Sequence, residues 1–381
     1  MAVDYLIVGA GFSGLVMAER LTTQLGKRCM VIDQRDHVGG NCYDEYDEAG
    51  ILVHRYGPHY FRTNSDKIID YLSQFTEWHP VDYQIKSYSD GRLWSFPINL
   101  NTFEELIGRP STSEEMQAWL DQKRVPIENP VNSEEVIISQ VGWELYEKFF
   151  KGYTRKHWKC DPKDLDVSVC GRIPIRTNRD DRYLKEEFQA LPKEGYTRLF
   201  ERMIEACGDL LEIRLQTSFE EAKESIRFKR LVYTGPIDQY FNYRHGKLPY
   251  RSVRFEPESF GPETLKERET ISGKRGFWQA EMQINYPNDE DFTRIVEIKH
   301  ATGQSSDHTT IVREYPEDVG PHQEPYYPIP NQQSQKIYQQ YKQLAETEED
   351  TIFTGRLATY RYYNMDQVVA MALKEFERLN S

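Results

Sequence analysis

Residues 4 to 36, DYLIVGAGFSGLVMAERLTTQLGKRCMVIDQRD, decide the fold. A short apolar run reaches Gly9, glycines recur at Gly11 and Gly14, a helical pattern follows, and a second apolar run ends at Asp33. Strand, glycine turn, helix and strand make a βαβ unit. The three glycines serve distinct physical ends, namely a tight turn, close approach of backbone to a pyrophosphate, and close helix packing, with the phosphate charge meeting the helix N-terminus. Asp33 stands at the spacing expected for a contact to a ribose hydroxyl, so the stretch predicts a dinucleotide-binding domain. DQRDHVGGN follows at once and places Gly39, Gly40 and Asn41 after the acid. Read from residues alone, that glycine pair is an ordinary loop.

The rest of the composition narrows the ligand. The chain has 381 residues, room for roughly two to three domains. Aromatics make up 13%, with 25 tyrosines, more than a core needs, which points to a polar ligand surface. A formal net charge of −13 argues against a general nucleic-acid or anionic-membrane surface, so a phosphorylated ligand must be met by a local basic cluster. The cysteines, Cys29, Cys42, Cys160, Cys170 and Cys207, form no CxxC pair and no metal spacing; ordinary thiols and no metal site are expected. Asp4 stands where a signal peptide would need a basic region, and no apolar run approaches the ~18 to 20 residues of a membrane span. A cytoplasmic enzyme is the expectation.

The pattern along the chain predicts an α/β protein: a discontinuous Rossmann-like domain, a helical insertion domain and a mostly antiparallel β-sheet domain. The nucleotide domain is expected over 1–80, 197–240 and 335–381, the helical substrate domain over 81–167, and the sheet domain over 168–196 and 241–334. Residues 64 to 150 show little strand-like alternation, whereas VSVCGRIPIRT, YRSVRFEPE, FWQAEMQINYP, TRIVEIKHA and HTTIVREYP read as strands.

Three clusters carry candidate chemistry. In EKFFKGYTRKHWKCDPKDL, Phe149, Phe150, Tyr153 and Trp158 interleave with cations, which suits either base stacking beside a diphosphate or a helix packing its aromatics into the core. Arg172, Arg251 and Arg294 are isolated guanidinium forks suited to phosphate oxygens, though each also reads as an outward-facing strand residue. GPHYFRT, residues 57 to 63, drives Arg62 in among aromatics just after His59. By its residues alone, Arg62 is a surface side chain at the end of a short strand.

GAGFSG, GGN, GPHYFRT, FFKGYTRKHWKCDPKDL, YTGPIDQYFNYRHGKLPYRS, TRIVEIKH, REY, EPYYPI and GRLATYRYYNMDQV occur in this order across nearly the whole chain. Together they resemble the bacterial UDP-galactopyranose mutase family. The resemblance implies an FAD cofactor, active when reduced, and interconversion of UDP-galactopyranose and UDP-galactofuranose with flavin N5 as covalent nucleophile. Gly9, Gly11, Gly14, Asp33, Gly40, Asn41, Gly355, Arg356, Asn364 and Met365 would then hold the flavin, and His59 would shape its pocket. Phe149, Phe150, Tyr153 and Trp158 would form the uridine and sugar side. Arg172 and Arg294 would clamp the diphosphate, Tyr183, Asn285, Tyr327 and Tyr362 would approach phosphate or sugar, and a loop bearing Arg251 would close over UDP.

The partners implied are a UDP-sugar and an external reductant such as NADH or NADPH, with no nucleic acid and no membrane span; a homo-oligomer is compatible with the chain. A mutase for a different NDP-hexose, a flavin amine oxidase-like oxidoreductase and a GDI-like binding protein are the alternatives. Two departures stand out. The family usually reads GPHIFHT, so Arg62 replaces a histidine; it would contact either the flavin or the substituent on sugar C2, where its donors would suit the carbonyl of an acetamido group, making UDP-N-acetylgalactosamine a further candidate substrate. GPETLKERETISGKRG, residues 261 to 276, is extra and reads as a surface loop.

Overall fold

A computed structural model describes residues 2–320 and 324–380. The opening apolar run becomes the strand Ala2–Val8 at the centre of a five-stranded parallel sheet. The strand order is Leu211–Arg214, Cys29–Ile32, Ala2–Val8, Arg227–Tyr233 and Thr351–Phe353, so three distant parts of the chain meet in one sheet. Leu6, Ile7, Val31 and Val232 are fully buried, as parallel strands covered on both faces must be. The helices Phe12–Leu25, Tyr196–Cys207 and Met365–Leu379 share one core with Ile7, Val31 and Val232. Phe219 and Ala222, from the helix Phe219–Ser225, pack with Leu6, Met30 and Ile32 in a second one.

A seven-stranded sheet forms the second layer system. Its order is Tyr327–Pro328, Tyr250–Phe260, Thr309–Asp318, Arg294–Val296, Gln283–Asn285, Ile85–Ser89 and Arg92–Phe96. All pairings are antiparallel except that of Gln283–Asn285 with Ile85–Ser89. Against it lie the helices Leu100–Ile107, Ser113–Lys123 and Ser133–Tyr146, the last continuing through a π-turn, Glu147–Lys151, into Gly152–Trp158. No helix among the described residues is long and apolar enough to cross a membrane.

Several sequence expectations need correction. Residues 85 to 96 are a β-hairpin, not part of a helical run. Asp90 and Gly91 both have positive φ, the two-residue turn that matches strand twist, and IKSYSDGRLWSF carries the Asp-Gly signal in plain view. VSVCGRIPIRT is not a strand: Val167–Gly171 is a short helix capped by Asp166. Phe188–Pro192 pairs instead with Phe61–Thr63 and Trp78–Pro80 in a separate three-stranded sheet. FWQAEMQINYP narrows to Gln283–Asn285, and TRIVEIKHA turns helical at Lys299–Thr302. The extra segment is no loop either, because Pro262–Ser272 is a helix that buries Leu265 and Ser272 and leaves most of its length exposed.

Candidate functional site

The first site is made mostly of backbone. A cleft of about 1390 Å³ runs along the ends of the parallel strands, lined by Gly9, Gly11, Asp33, Gly40, Asn41, Gly355, Arg356 and Met365. Its surface is shaped by missing side chains. A Cβ on Gly14 would lie 1.9 Å from the Gly9 carbonyl oxygen, so the helix can pack on the turn only as glycine. Gly40 has φ +56, and a Cβ there would come 3.0 Å from the Gly11 Cα, which brings two glycine turns edge to edge. Asp33 fastens this turn: Oδ2 accepts from the Ala10 N–H at 2.8 Å and Oδ1 from the Arg35 N–H at 3.0 Å. Arg35, absent from the sequence candidates, donates to Asn41 Oδ1 at 2.7 Å, lies over the Tyr56 ring and pairs with Glu324. Such a cradle has room for a dinucleotide, whose phosphates would meet the backbone of Gly11 and Gly40; the Gly9 N–H is already given to the Ile32 carbonyl at 2.8 Å.

The second site is made of side chains. A cavity of about 300 Å³ lies between the seven-stranded sheet and the helical layer. Its floor is one rung of that sheet: Asn285, Arg294, Glu314 and Phe255 stand directly opposite one another on four neighbouring strands. Gln283, fully buried, orients the rung by donating to Asn285 Oδ1 at 2.8 Å and accepting from Tyr60 Oη at 3.3 Å. The π-turn delivers Phe149 and Phe150, which pack with Phe96 in the helical core and also wall the cavity. Tyr153 and Tyr327 stack on His157, and Trp158 meets Tyr327 and Tyr362. Burial, helped by Arg294, Arg172 and Arg251, pushes the His157 imidazole down to about 3, so it is neutral.

Cations gather at the far wall. Arg172 Nη1 donates to Tyr362 Oη at 3.1 Å, and both Arg172 and Arg356 face the Tyr362 ring. Burial alone would raise the Tyr362 phenol, but Arg172, Arg356 and Arg294 outweigh it and bring it down to about 8. Tyr183 also lines this wall. Arg62 is a half-buried strand residue whose Nε donates to Glu186 at 3.2 Å and whose Nη2 donates to Asn364 Oδ1 at 2.9 Å. Asn364 borders this cavity and not the cleft. His59 borders both; its Nδ1 donates to the Gly57 carbonyl at 2.8 Å, which leaves Nε2 as the acceptor, and burial pushes the ring down to about 3.

Arg251 is where the sequence reading fails. It lies in the strand Tyr250–Phe260 and is 1% exposed. It donates from Nε to the His157 carbonyl at 3.1 Å, pairs with Asp318, and is not among the cavity's lining residues. It braces the helix end that carries His157 and Trp158, and no mobile loop carries it. Conversely, the sequence reading misses Glu314, although it sits inside the REY motif. Only its register opposite Arg294 brings it to the site.

A glycine-built dinucleotide cleft opening onto an arginine- and aromatic-lined cavity defines an enzyme that pairs a flavin with a second, anionic, ring-bearing ligand. The family model described as UDP-galactopyranose mutase matches residues 148–362, and the model of an NAD(P)-binding Rossmann-like domain matches residues 7–75. A probable UDP-galactopyranose mutase of Klebsiella pneumoniae is 38% identical over 97% of this chain and 93% of its own length. A dTDP-fucopyranose mutase of Escherichia coli is 32% identical over 97% and 96%. The crystal structure of a reduced UDP-galactopyranose mutase shares the fold at TM-score 0.74, with 18% identity, covering all of this chain and 94% of that one. The chain belongs to the UDP-galactopyranose mutase family, which makes it a flavin-dependent isomerase; the oxidase and GDI-like alternatives are not favoured.

Proposed function

We propose that this chain interconverts UDP-galactopyranose and UDP-galactofuranose with FAD in its reduced form, and that it also accepts UDP-N-acetylgalactosamine. The observation that carries this reading is a shared wall: Asn41, Tyr56, His59, Tyr326, Arg356 and Met365 line both the cofactor cleft and the substrate cavity. A sugar nucleotide in the cavity thus has its anomeric end beside the cofactor. The reduced flavin, when bound, supplies the nucleophile for ring exchange with no net oxidation.

The chain's own part is placement and charge. Phe149, Phe150, Tyr153 and Trp158 offer aromatic surface to the uridine and sugar. Arg172 and Arg294 face the diphosphate as it gains charge on leaving, where fixed donors act most strongly. The neutral His59, with Nε2 as acceptor, can hold a proton-bearing group at the junction without adding charge there. An external reductant of the NADH or NADPH kind would prime the flavin.

Arg62 Nη1 makes no hydrogen bond among the described residues, and that donor is available to an acetamido carbonyl. The test supplies UDP-galactopyranose, UDP-N-acetylgalactosamine and dTDP-fucopyranose to flavin-loaded protein before and after chemical reduction. Furanose products from the first two, only after reduction, are expected. Peroxide formation, turnover by oxidised protein, or a preference for the dTDP-sugar, as the name of the E. coli relative would suggest, would overturn the reading. Arg62→His is expected to shift the kcat/KM ratio of the two UDP-sugars by roughly tenfold to a hundredfold.

A further inference from the structure

Arg294 and Glu314 are cross-strand neighbours, and Arg294 Nε donates to Glu314 Oε2 at 2.7 Å. Glu314 is 1% exposed, and its other oxygen, Oε1, is buried with no hydrogen-bond partner among the described residues. That oxygen faces Gly57, in the turn leading to His59. A Cβ on Gly57 would come 3.1 Å from Oε1 and 2.8 Å from the Phe255 ring. A buried carboxylate with an unmet oxygen is costly, and stability alone would favour an uncharged side chain at this place. The ionisable groups around it are the phenols of Tyr60, Tyr153, Tyr326 and Tyr327 and the single cation Arg294. Burial holds the Glu314 carboxyl above its ordinary range and Arg294 offsets only part of that rise, so the charge of the carboxyl depends on the guanidinium beside it.

We propose that Glu314 is a positioning residue that aims Arg294 into the cavity and withholds part of its charge, so that UDP is held loosely in the ground state. This rests on the reading of Arg294 as a diphosphate ligand. The Nε donor is committed to Glu314 and Nη1 leans toward Gln283 Oε1 at 3.4 Å, which leaves the remaining donors directed at the cavity. A bound diphosphate therefore competes with a carboxylate already in contact with the same guanidinium. Glu314 repels the diphosphate at every stage, and most when it carries its full leaving-group charge, so the pair loosens the hold on UDP and eases its release. An amide at position 314 keeps the shape and an acceptor for Nε while releasing the charge.

The experiment titrates UDP into oxidised, flavin-loaded protein, followed by tryptophan fluorescence, for wild type, Glu314→Gln, Arg294→Met and the double variant. Steady-state kinetics on the reduced proteins follow. Glu314→Gln is expected to bind UDP about five- to tenfold more tightly and to lower KM for UDP-galactopyranose, with no tightening in the Arg294→Met background. A merely structural lesion would loosen UDP, so affinity equal to or weaker than wild type overturns the proposal. Should Glu314→Gln not retain flavin, Glu314→Asp keeps the charge but withdraws it from Nε. That frees part of the guanidinium charge, so Glu314→Asp is expected to bind UDP about two- to threefold more tightly, and wild-type or weaker affinity of that variant overturns the proposal equally. Arg294→Met binding UDP as tightly as wild type would refute instead the diphosphate reading on which the inference stands.

Discussion

The cofactor cleft and the substrate cavity meet along one wall but are built on opposite principles. The cleft is a surface of backbone, shaped by glycines whose missing Cβ atoms make the space, and held by one carboxylate that reaches back across 23 residues to the Ala10 N–H. The cavity is a surface of side chains drawn from a sheet rung, a π-turn, the 172–186 segment and the C-terminal return. Backbone sites tolerate almost no added atoms. Side-chain sites tolerate substitutions at their rim and fail where charge is concentrated.

The largest expected effect breaks the cleft. Gly14→Ala places a methyl 1.9 Å from a backbone oxygen that cannot move without unseating the turn, so the purified protein is expected to be colourless, as read by visible flavin absorbance. Next come the cavity's cations. Arg172→Ala or Arg294→Ala is expected to lower kcat on reduced protein by ~10²-fold or more, whereas Trp158→Phe changes kcat little, because charge stabilisation grows toward the transition state and stacking is largely uniform binding. Arg251→Met separates bracing from binding: it is expected to cost about 1 to 3 kcal/mol of stability in denaturant melts, with kcat of the folded protein nearly unchanged. The smallest effect is a pH response. Below about 8 the Tyr362 phenol is neutral and Arg172 and Arg356 keep their full charge for UDP; above it the phenolate offsets them. UDP affinity is therefore expected to fall roughly threefold as pH rises through that value in wild type and not in Tyr362→Phe, measured on oxidised protein.

The same contrast explains what could be read from sequence. The cleft was legible because its signal is local: a strand, three glycines and an acid within one βαβ unit. The cavity's aromatic wall was legible only as a choice between core and ligand, and in the structure Phe149 and Phe150 belong to the helical core while also lining the cavity. Arg251 misled because an arginine beside apolar residues looks the same whether its fork reaches a ligand or, as here, a backbone carbonyl. Glu314 was invisible for a deeper reason. Its importance lies in standing opposite Arg294, 20 residues earlier, and register across strands is not written in either segment alone. The Asp90-Gly91 hairpin, by contrast, has a purely local signal, an Asp-Gly turn between two apolar runs.

The single rung that carries Asn285, Arg294, Glu314 and Phe255 limits how this enzyme can move. Strands locked by a hydrogen-bonded ladder shift together or not at all, so the backbone of none of these four can move toward a substrate while its neighbours stay behind. Any closing must come from the opposite wall, where residues 172 to 187 belong to no strand or helix and Arg172 rests on a phenol that it can exchange for a phosphate. The molecule thus resembles an anvil with one moving jaw: UDP is expected to shield the stretch between Trp158 and Phe188 from proteases while cleavage near Arg251 stays the same.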